Sequence, residues 1–311
     1  METEKTKIPF YVQRSFSDKI NAAFDFIKEN WKILLKTTTY LLLPVSLIQG
    51  IFTGSVMSMA GLLYNPAFQS QINRGVLPFD QEGFLINYVG LMLSSFVGQF
   101  LLLSLVYTLL KTYNEREEGL KGITLSNITS PLIGNIGRCL IMFLVSLLLY
   151  IGVALVLGLL AAVTPFTLIL TIPALIVFSF PLLIWPATYL MEQNSVFGAL
   201  SKSYRLGFAT LGGVLAIYLV TAILASVVQG VFSTPLTVST MVKNMFSQSD
   251  TVGDVSVGYK FMLYVLGVLQ SFSGYLSAIL VCLGLAYQYS HASEKVSRVS
   301  VESDIDNFEN L

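Results

Sequence analysis

The sequence predicts an all-α integral membrane protein whose six transmembrane helices form three hairpins, each preceded by a cytoplasmic amphipathic helix. Of the 311 residues, 54% are hydrophobic and 12% are charged, against about 25% charged in an average soluble domain. A soluble chain of this length would leave large apolar patches in water. Six long apolar stretches are the second observation, because about 20 apolar residues in a helix cross a bilayer.

The six stretches contain no Asp, Glu, Lys, Arg or His. They lie near residues 38–62, 85–110, 139–163, 166–191, 213–233 and 261–287. A turn at Thr164 and Pro165 separates the third from the fourth, and their combined length is twice one crossing, which predicts a tight hairpin. Residues 1–293 therefore form a single membrane domain, and residues 294–311 are expected to be a polar, disordered cytoplasmic tail.

The distribution of Lys and Arg predicts the orientation. Fifteen of the 18 lie before the first span, between the second and third, between the fourth and fifth, or in the tail. The alternate loops hold only Arg74, Lys243 and Lys260. Because cytoplasmic loops carry the excess of basic residues, both ends of the chain are expected in the cytoplasm. Equal numbers of basic and acidic residues give no indication of a nucleic-acid partner.

Each hairpin is preceded by a segment with apolar residues at helical spacing. Ser15 or Ser17 is expected to cap the first, and Ser130 with Pro131 to begin the second. In the third, an apolar stripe opposes Lys202 and Arg205 and consists of Phe197, Leu200, Tyr204, Phe208 and Leu211. Such helices lie in the headgroup plane. They either re-aim the chain into each hairpin or bind anionic lipid.

Small residues at four-residue spacing recur in five spans, which predicts close helix packing. The ridges are Gly50-Gly54-Ser58, Gly90-Ser94-Gly98, Ala154-Gly158-Ala162, Ala222-Ser226-Gly230 and Gly274-Ala278. The fourth span instead carries Pro173, Pro181 and Pro186. Each proline removes a backbone donor and crowds the preceding turn, so this span is expected to bend.

The sequence lacks the combinations of side chains that common catalytic sites require. His291 is the only histidine, so neither a histidine-rich metal site nor a Ser-His-Asp triad can be assembled. No glycine-rich phosphate loop occurs either. The chain is therefore expected not to be an enzyme and to need no cofactor, and membrane lipids or a membrane protein are its expected partners.

The strongest polar groups in or near the spans are five amides: Gln49, Asn87, Gln99, Gln229 and Gln270. They either hydrogen-bond between helices or line a small cavity. At the end of the fourth span, Glu192 precedes Asn194 and Ser195, which can cap the next helix. Its carboxylate either stabilises that helix end or pairs with Arg205 or with a basic residue of another amphipathic helix.

Residues 192–207, EQNSVFGALSKSYRLG, resemble an element of bacterial six-span proteins related to the membrane region of glycerophosphodiester phosphodiesterases. In that family a Glu ends a span and a helix with an Ala-Leu-x-x-Ser-aromatic-x-Leu core follows. The matching positions here are Glu192, Ala199, Leu200, Ser203, Tyr204 and Leu206. The resemblance implies an architecture and a place in the bacterial inner membrane. It implies no hydrolysis, because the chain lacks the hydrolase domain.

Two functions fit these observations. The first is a non-catalytic scaffold or partner in envelope or lipid-related processes, for which a dry, fully packed bundle is expected. The second is a carrier or flippase-like protein for an uncharged or amphiphilic substrate, for which a cavity lined by Gln49, Gln99 and Gln270 is expected.

The predicted orientation can be tested with reporter fusions. Reporters placed after Lys121, Lys202 and Lys295 should read cytoplasmic, and reporters within residues 66–82 or 240–258 should read external, because Lys and Arg divide 15 to 3 between the two sides. An external signal after Lys202 would contradict the six-span topology.

Overall fold

The computed structural model describes residues 7–62, 70, 73–74, 81–164, 166–246 and 256–299. Within these residues the regular structure is helical throughout. The α-helices are α1 (Phe16–Leu62), α2 (Gln81–Glu115), α3 (Leu125–Val163), α4 (Thr167–Ser179), α5 (Trp185–Met191), α6 (Val196–Ala209), α7 (Leu211–Phe246) and α8 (Val257–Ser297). A 3₁₀ turn, Phe180–Ile184, connects α4 to α5.

Six of these helical stretches are long and apolar enough to cross a membrane, which confirms the predicted all-α, six-span fold. They are Phe16–Met57, Gln81–Glu115, Leu125–Val163, Thr167–Met191, Leu211–Lys243 and Val257–Ser297. Several exceed the length of one crossing because helical structure continues into the polar flanks. The last one runs to Ser297, so the first residues of the predicted tail are helical, and residues 300–311 lie outside the described chain.

The segments expected before the first two spans are continuous with those spans. Ser15 caps α1 in a capping box, because its Oγ accepts from the amide of Asp18 at 3.2 Å while Asp18 Oδ2 accepts from the amide of Ser15 at 3.3 Å. A kink at Asn30 (φ −114°, ψ 15°) divides the helix. The expected start of the second segment at Ser130 is wrong, since α3 begins at Leu125.

The third segment is a separate helix, α6. Ser195 is its N-cap and accepts from the amide of Gly198 at 3.1 Å, as expected. The face of α6 that packs against the protein is distinct from the predicted apolar stripe, which was expected to lie in the headgroup plane. Phe197 is 66% exposed, whereas the residues that pack inward are Ala199, Ser203, Leu206 and Gly207. Small residues face the protein here because α6 lies close to the 3₁₀ turn, where a Cβ on Gly207 would come within 2.6 Å of Pro181.

The fourth span is not one continuous α-helix, because the 3₁₀ turn at Phe180–Ile184 interrupts it, and the bend expected from its prolines stays a prediction. Pro173 lies inside α4, and Pro181 lies at the start of the 3₁₀ turn. Pro186 lies in the first turn of α5, where a missing amide hydrogen costs little. Pro165, predicted in the turn between the third and fourth spans, lies outside the described residues.

The chain divides into two compact units. The first contains Met1–Leu34, Leu103–Ile223 and Ile279–Leu311, and the second contains Leu35–Leu102 and Leu224–Ala278. In the first unit, the buried side chains include Phe26, Leu109 and Leu283.

Glycines let helices approach closely in the second unit. A Cβ on Gly50 would lie 2.5 Å from Val268 Cγ2 and 3.1 Å from the carbonyl oxygen of Tyr264, and a Cβ on Gly90 would lie 2.6 Å from the ring of Phe52. Not every predicted ridge is a contact, however. Among the described residues, a Cβ on Gly158 or Gly230 would meet no atom within 4 Å, so spacing alone identified only part of the packing surface.

This difference predicts opposite effects of one substitution at two glycines. Gly50→Ala should destabilise the protein by about 1–3 kcal/mol, because the added methyl group overlaps Val268 and the backbone. Gly158→Ala should be neutral or stabilising by up to about 1 kcal/mol, because alanine is the better helix former in open space. Unfolding by SDS titration in mixed micelles measures both, and equal losses would contradict the packing described.

Candidate functional site

A cavity of about 350 Å³ lies in the second unit, between α1, α2, α7 and α8. Its polar lining contains the three glutamines predicted to share a cavity, together with another amide, a hydroxyl and a phenol: Gln49, Gln99, Gln229, Gln270, Ser95 and Tyr275. None of the lining residues is charged. The glutamines belong to four apolar spans, so the cavity lies at membrane depth.

Gln49 is 4% exposed and belongs to the lining of the cavity. Its Nε2 donates to Ser95 Oγ at 3.0 Å, and Ser95 Oγ in turn donates to the carbonyl oxygen of Leu91 at 2.7 Å. Because the hydroxyl hydrogen is already used, Ser95 can only accept from Gln49, which fixes the orientation of the amide. Gln49 Oε1 is buried and has no hydrogen-bond donor in the described part of the chain.

Gln229 and Gln270 meet across the same cavity. Gln229 Nε2 donates to the backbone carbonyl oxygen of Gln270 at 3.0 Å, and Gln229 Oε1 accepts from Ser273 Oγ at 3.2 Å. The Gln229 amide is thus satisfied at both ends. Gln270 Oε1 is buried, and among the described residues no donor bonds to it.

Tyr275 completes the polar lining. Its hydroxyl lies beside the Gln49 side chain without meeting hydrogen-bond geometry, and it has no other partner within the described ranges. The space that it occupies exists because residue 98 is glycine, since a Cβ there would overlap the Tyr275 hydroxyl. Gln99 is exposed. The cavity therefore offers amide, hydroxyl and phenol groups for hydrogen bonding, and the described residues of its lining include no Asp, Glu, Lys, Arg, His or Cys.

A second polar cluster lies in the first unit and is centred on Glu192. Lys202 Nζ donates to Glu192 Oε1 at 2.6 Å, and the Tyr289 hydroxyl donates to the same oxygen. The side-chain amide of Asn194 donates to Oε2. The Lys202 and Glu192 side chains are 21% and 18% exposed, so this is a largely buried, charge-assisted network that links α6 to α8.

The proposed pairing of Glu192 with Arg205 is wrong, because Arg205 instead donates to Ser297 Oγ at 3.1 Å. Lys202, one turn earlier on α6, reaches the carboxylate. Arg138, the basic residue of the second amphipathic segment, also bonds to Glu192, but to its backbone and not to its carboxylate. Arg138 donates to the carbonyl oxygen of Glu192 at 2.6 Å, and its guanidinium lies 4.3 Å from the ring centroid of Tyr189.

Ser203 is fully buried on α6 and donates to the carbonyl oxygen of Leu200 at 2.8 Å. Together with Ala199 and Leu206 it forms the face of α6 that packs inward. Among the positions of the family motif, these three are therefore packing residues, and the glutamate is the one with a polar network.

The partners that the end of α8 provides were not predicted from the sequence. Gln288 is fully buried; it accepts from Lys19 Nζ at 2.8 Å and donates to Thr210 Oγ1 at 3.1 Å. Tyr289 contacts Glu192 and Tyr11. Burial raises the pKa of Tyr11, an effect that its hydrogen bond with Tyr289 opposes and the Glu192 charge reinforces. A dense polar run directly after the last span, residues 288–294, was the one available signal.

The residues just before α1, 7–15, here called the N-terminal segment, dock on the same region. The amide of Ile8 donates to the Tyr113 hydroxyl at 3.0 Å, and the amide of Arg14 donates to His291 Nδ1 at 3.0 Å. The carbonyl oxygen of Phe10 accepts from Ser290 Oγ. The segment is thus held by α2 and α8.

The Glu192 network predicts a specific energetic coupling. In a double-mutant cycle, Glu192→Gln and Lys202→Met should couple by about 1–2 kcal/mol, because they remove two ends of one charge-assisted hydrogen bond. Glu192→Gln and Arg205→Gln should be additive within about 0.5 kcal/mol, since Arg205 bonds elsewhere. SDS titration of the wild type, the three single variants and the two double variants measures both couplings, and a larger coupling to Arg205 would contradict the geometry.

No family model, no curated protein and no solved structure matches this chain. The resemblance of residues 192–207 to the membrane region of glycerophosphodiester phosphodiesterases therefore stays a prediction. The structure itself shows a six-span α-helical membrane protein with an amide-lined cavity.

Proposed function

We propose that this multi-pass membrane protein is non-catalytic and binds an uncharged or amphiphilic molecule in its amide-lined cavity, as a carrier or flippase-like protein does. One observation carries the proposal: a cavity of about 350 Å³ at membrane depth is lined by four glutamines, Gln49, Gln99, Gln229 and Gln270. Amide groups hydrogen-bond without carrying charge, and a few polar groups in a largely apolar lining are typical of a ligand site.

The lining also limits the class of ligand. At membrane depth an ion would need an opposite charge or a full set of coordinating groups, and the lining residues supply no charge. An uncharged head avoids this difficulty. The volume of about 350 Å³ is near the lower end of ligand cavities, which span roughly 300–1,000 Å³, so it suits a small molecule or one end of a lipid.

A dry, fully packed bundle was the expectation for the scaffold function. The cavity with its unsatisfied amides supports the carrier function instead. The bacterial inner membrane, with both chain ends in the cytoplasm, is the proposed location. The distribution of Lys and Arg supports the orientation.

Retention of a native ligand tests the proposal. Wild-type protein purified from its membrane in mild detergent should carry a small uncharged amphiphile, identified by mass spectrometry of the extract. The double variant Gln49→Leu, Gln270→Leu should retain at least about 5-fold less of it, because two acceptors are lost. Gln13→Leu makes the same chemical change at an exposed position outside the cavity and should retain the wild-type amount.

An identical set of bound molecules in all three proteins would mean that the cavity is not a binding site. In that case the scaffold function would be the better explanation of a charge-free bundle. Thermal unfolding of each protein is measured in parallel so that only folded samples are compared.

A further inference from the structure

The amides of the cavity differ in how much of their hydrogen bonding the protein itself supplies. The Gln229 amide bonds at both ends, to the carbonyl oxygen of Gln270 and to Ser273 Oγ. Gln49 is only 4% exposed. Gln99, by contrast, is exposed, and no described residue bonds to its side-chain amide. A molecule in the cavity can therefore bond to Gln99 without displacing a bond within the protein.

Gln99 lies deep in the membrane. It is near the middle of the predicted span 85–110, about 21 Å from one end and about 17 Å from the other at 1.5 Å per residue. The hydrocarbon core of a bilayer is about 30 Å thick, so a glutamine side chain at this depth is too short to reach the headgroups. Lipid tails form no hydrogen bond with an amide, and an amide without a partner in hydrocarbon costs free energy. Gln99 therefore needs a polar partner that lipid tails cannot provide.

The neighbours of Gln99 on α2 place it at the edge of the cavity. Residues three and four apart lie side by side on a helix. Ser95, four residues earlier, lines the cavity, whereas Phe96, three residues earlier, is 37% exposed and Met92 is 42% exposed. Gln99 thus stands between the lining and the exposed apolar surface of α2, where an amphiphile can meet both kinds of surface.

Two other polar side chains of the lining are open to a bound molecule. Gln270 and Ser271, both on α8, are half-buried, and within the described chain neither the amide nitrogen of Gln270 nor the hydroxyl of Ser271 has a partner. Gln99 is the exposed one of the three. Because an amide both donates and accepts, Gln99 can bond to any uncharged hydrogen-bonding head, such as a hydroxyl, an ester or an amide.

We infer that Gln99 is a specificity-determining residue that contacts the uncharged, hydrogen-bonding head of an amphiphile at the edge of the cavity, near the middle of the bilayer. Gln229, in contrast, serves the packing of α7 against α8. This role of Gln99 rests on the proposed function, because it assigns a contact within the same cavity.

Two probes that differ by one hydroxyl group test the contact. Oleyl alcohol and cis-9-octadecene share an 18-carbon chain, and only the alcohol forms hydrogen bonds. An equimolar mixture is added to delipidated full-length protein, and gas chromatography–mass spectrometry measures how much of each probe stays with the protein. The ratio of alcohol to hydrocarbon should be roughly 3- to 10-fold higher for the wild type than for Gln99→Met, as expected for one hydrogen bond.

Gln229→Met makes the same change within the same cavity. It removes two bonds to α8, so it should lower the midpoint of an SDS titration, while the folded protein keeps the wild-type probe ratio. Gln99→Met should leave the midpoint unchanged or raise it, because an apolar side chain replaces an amide without a protein partner. Gln13→Met, at an exposed position outside the cavity, should alter neither measurement. If Gln229→Met fails to fold, Gln99→Met and Gln13→Met decide.

The role of Gln99 and the proposed function can fail separately. A wild-type probe ratio that Gln99→Met leaves unchanged, or that Ser271→Ala lowers in its place, would overturn the role of Gln99 and leave the cavity as an amphiphile site. A lowered SDS midpoint for Gln99→Met would overturn it as well, since the side chain would then be structural. Equal probe ratios in every protein, together with no amphiphile in the extract of native wild-type protein, would overturn both.

Discussion

The bilayer interior supplies no hydrogen bonds, and the structure depends on that constraint. Each polar group in a span must find a partner within the protein. Hydroxyl side chains do so within their own helix: Ser46, Thr53 and Thr221 each donate to the carbonyl oxygen four residues earlier, at 2.7–2.9 Å. A glutamine side chain has both a donor and an acceptor to satisfy. Four of the five amides named above, Gln49, Gln99, Gln229 and Gln270, line one cavity, whereas Asn87 donates to the carbonyl oxygen of Gly83 in its own helix.

The coarse fold follows from the sequence because its cause is local. A run of about 20 apolar residues without charge is sufficient to predict a span, and the caps at Ser15 and Ser195 follow from hydroxyls that precede helical segments. The boundaries of the helices are predicted less well from the sequence. Pro131 indicated a helix start, yet α3 begins six residues earlier, at Leu125, because tolerance of a proline within a long helix depends on the neighbouring turns and not on the dipeptide.

The sequence also predicted those residues of the candidate sites that are unusual in their local surroundings. Gln49, Gln99 and Gln270 were identified because amides are rare in apolar runs. In a bundle of few helices, such polar side chains can avoid lipid only by facing the interior of the bundle. The partner of Glu192 was assigned incorrectly, since Lys202 and Arg205 lie on one short helix and the choice between them depends on how α6 rotates against the 3₁₀ turn. Tyr289 was missed because an aromatic residue at the end of a span is usual.

Contacts between α8 and the residues at and before the start of α1 determine when the first unit can assemble during biosynthesis. The backbone of Arg14 bonds to His291, a residue 277 positions later, and Lys19 bonds to Gln288. A ribosome makes the N-terminal segment before α8, which carries its docking surface. The buried lysine of α1 therefore stays hydrated while the spans between it and α8 enter the bilayer. Assembly of the first unit is completed only when α8 has left the exit tunnel.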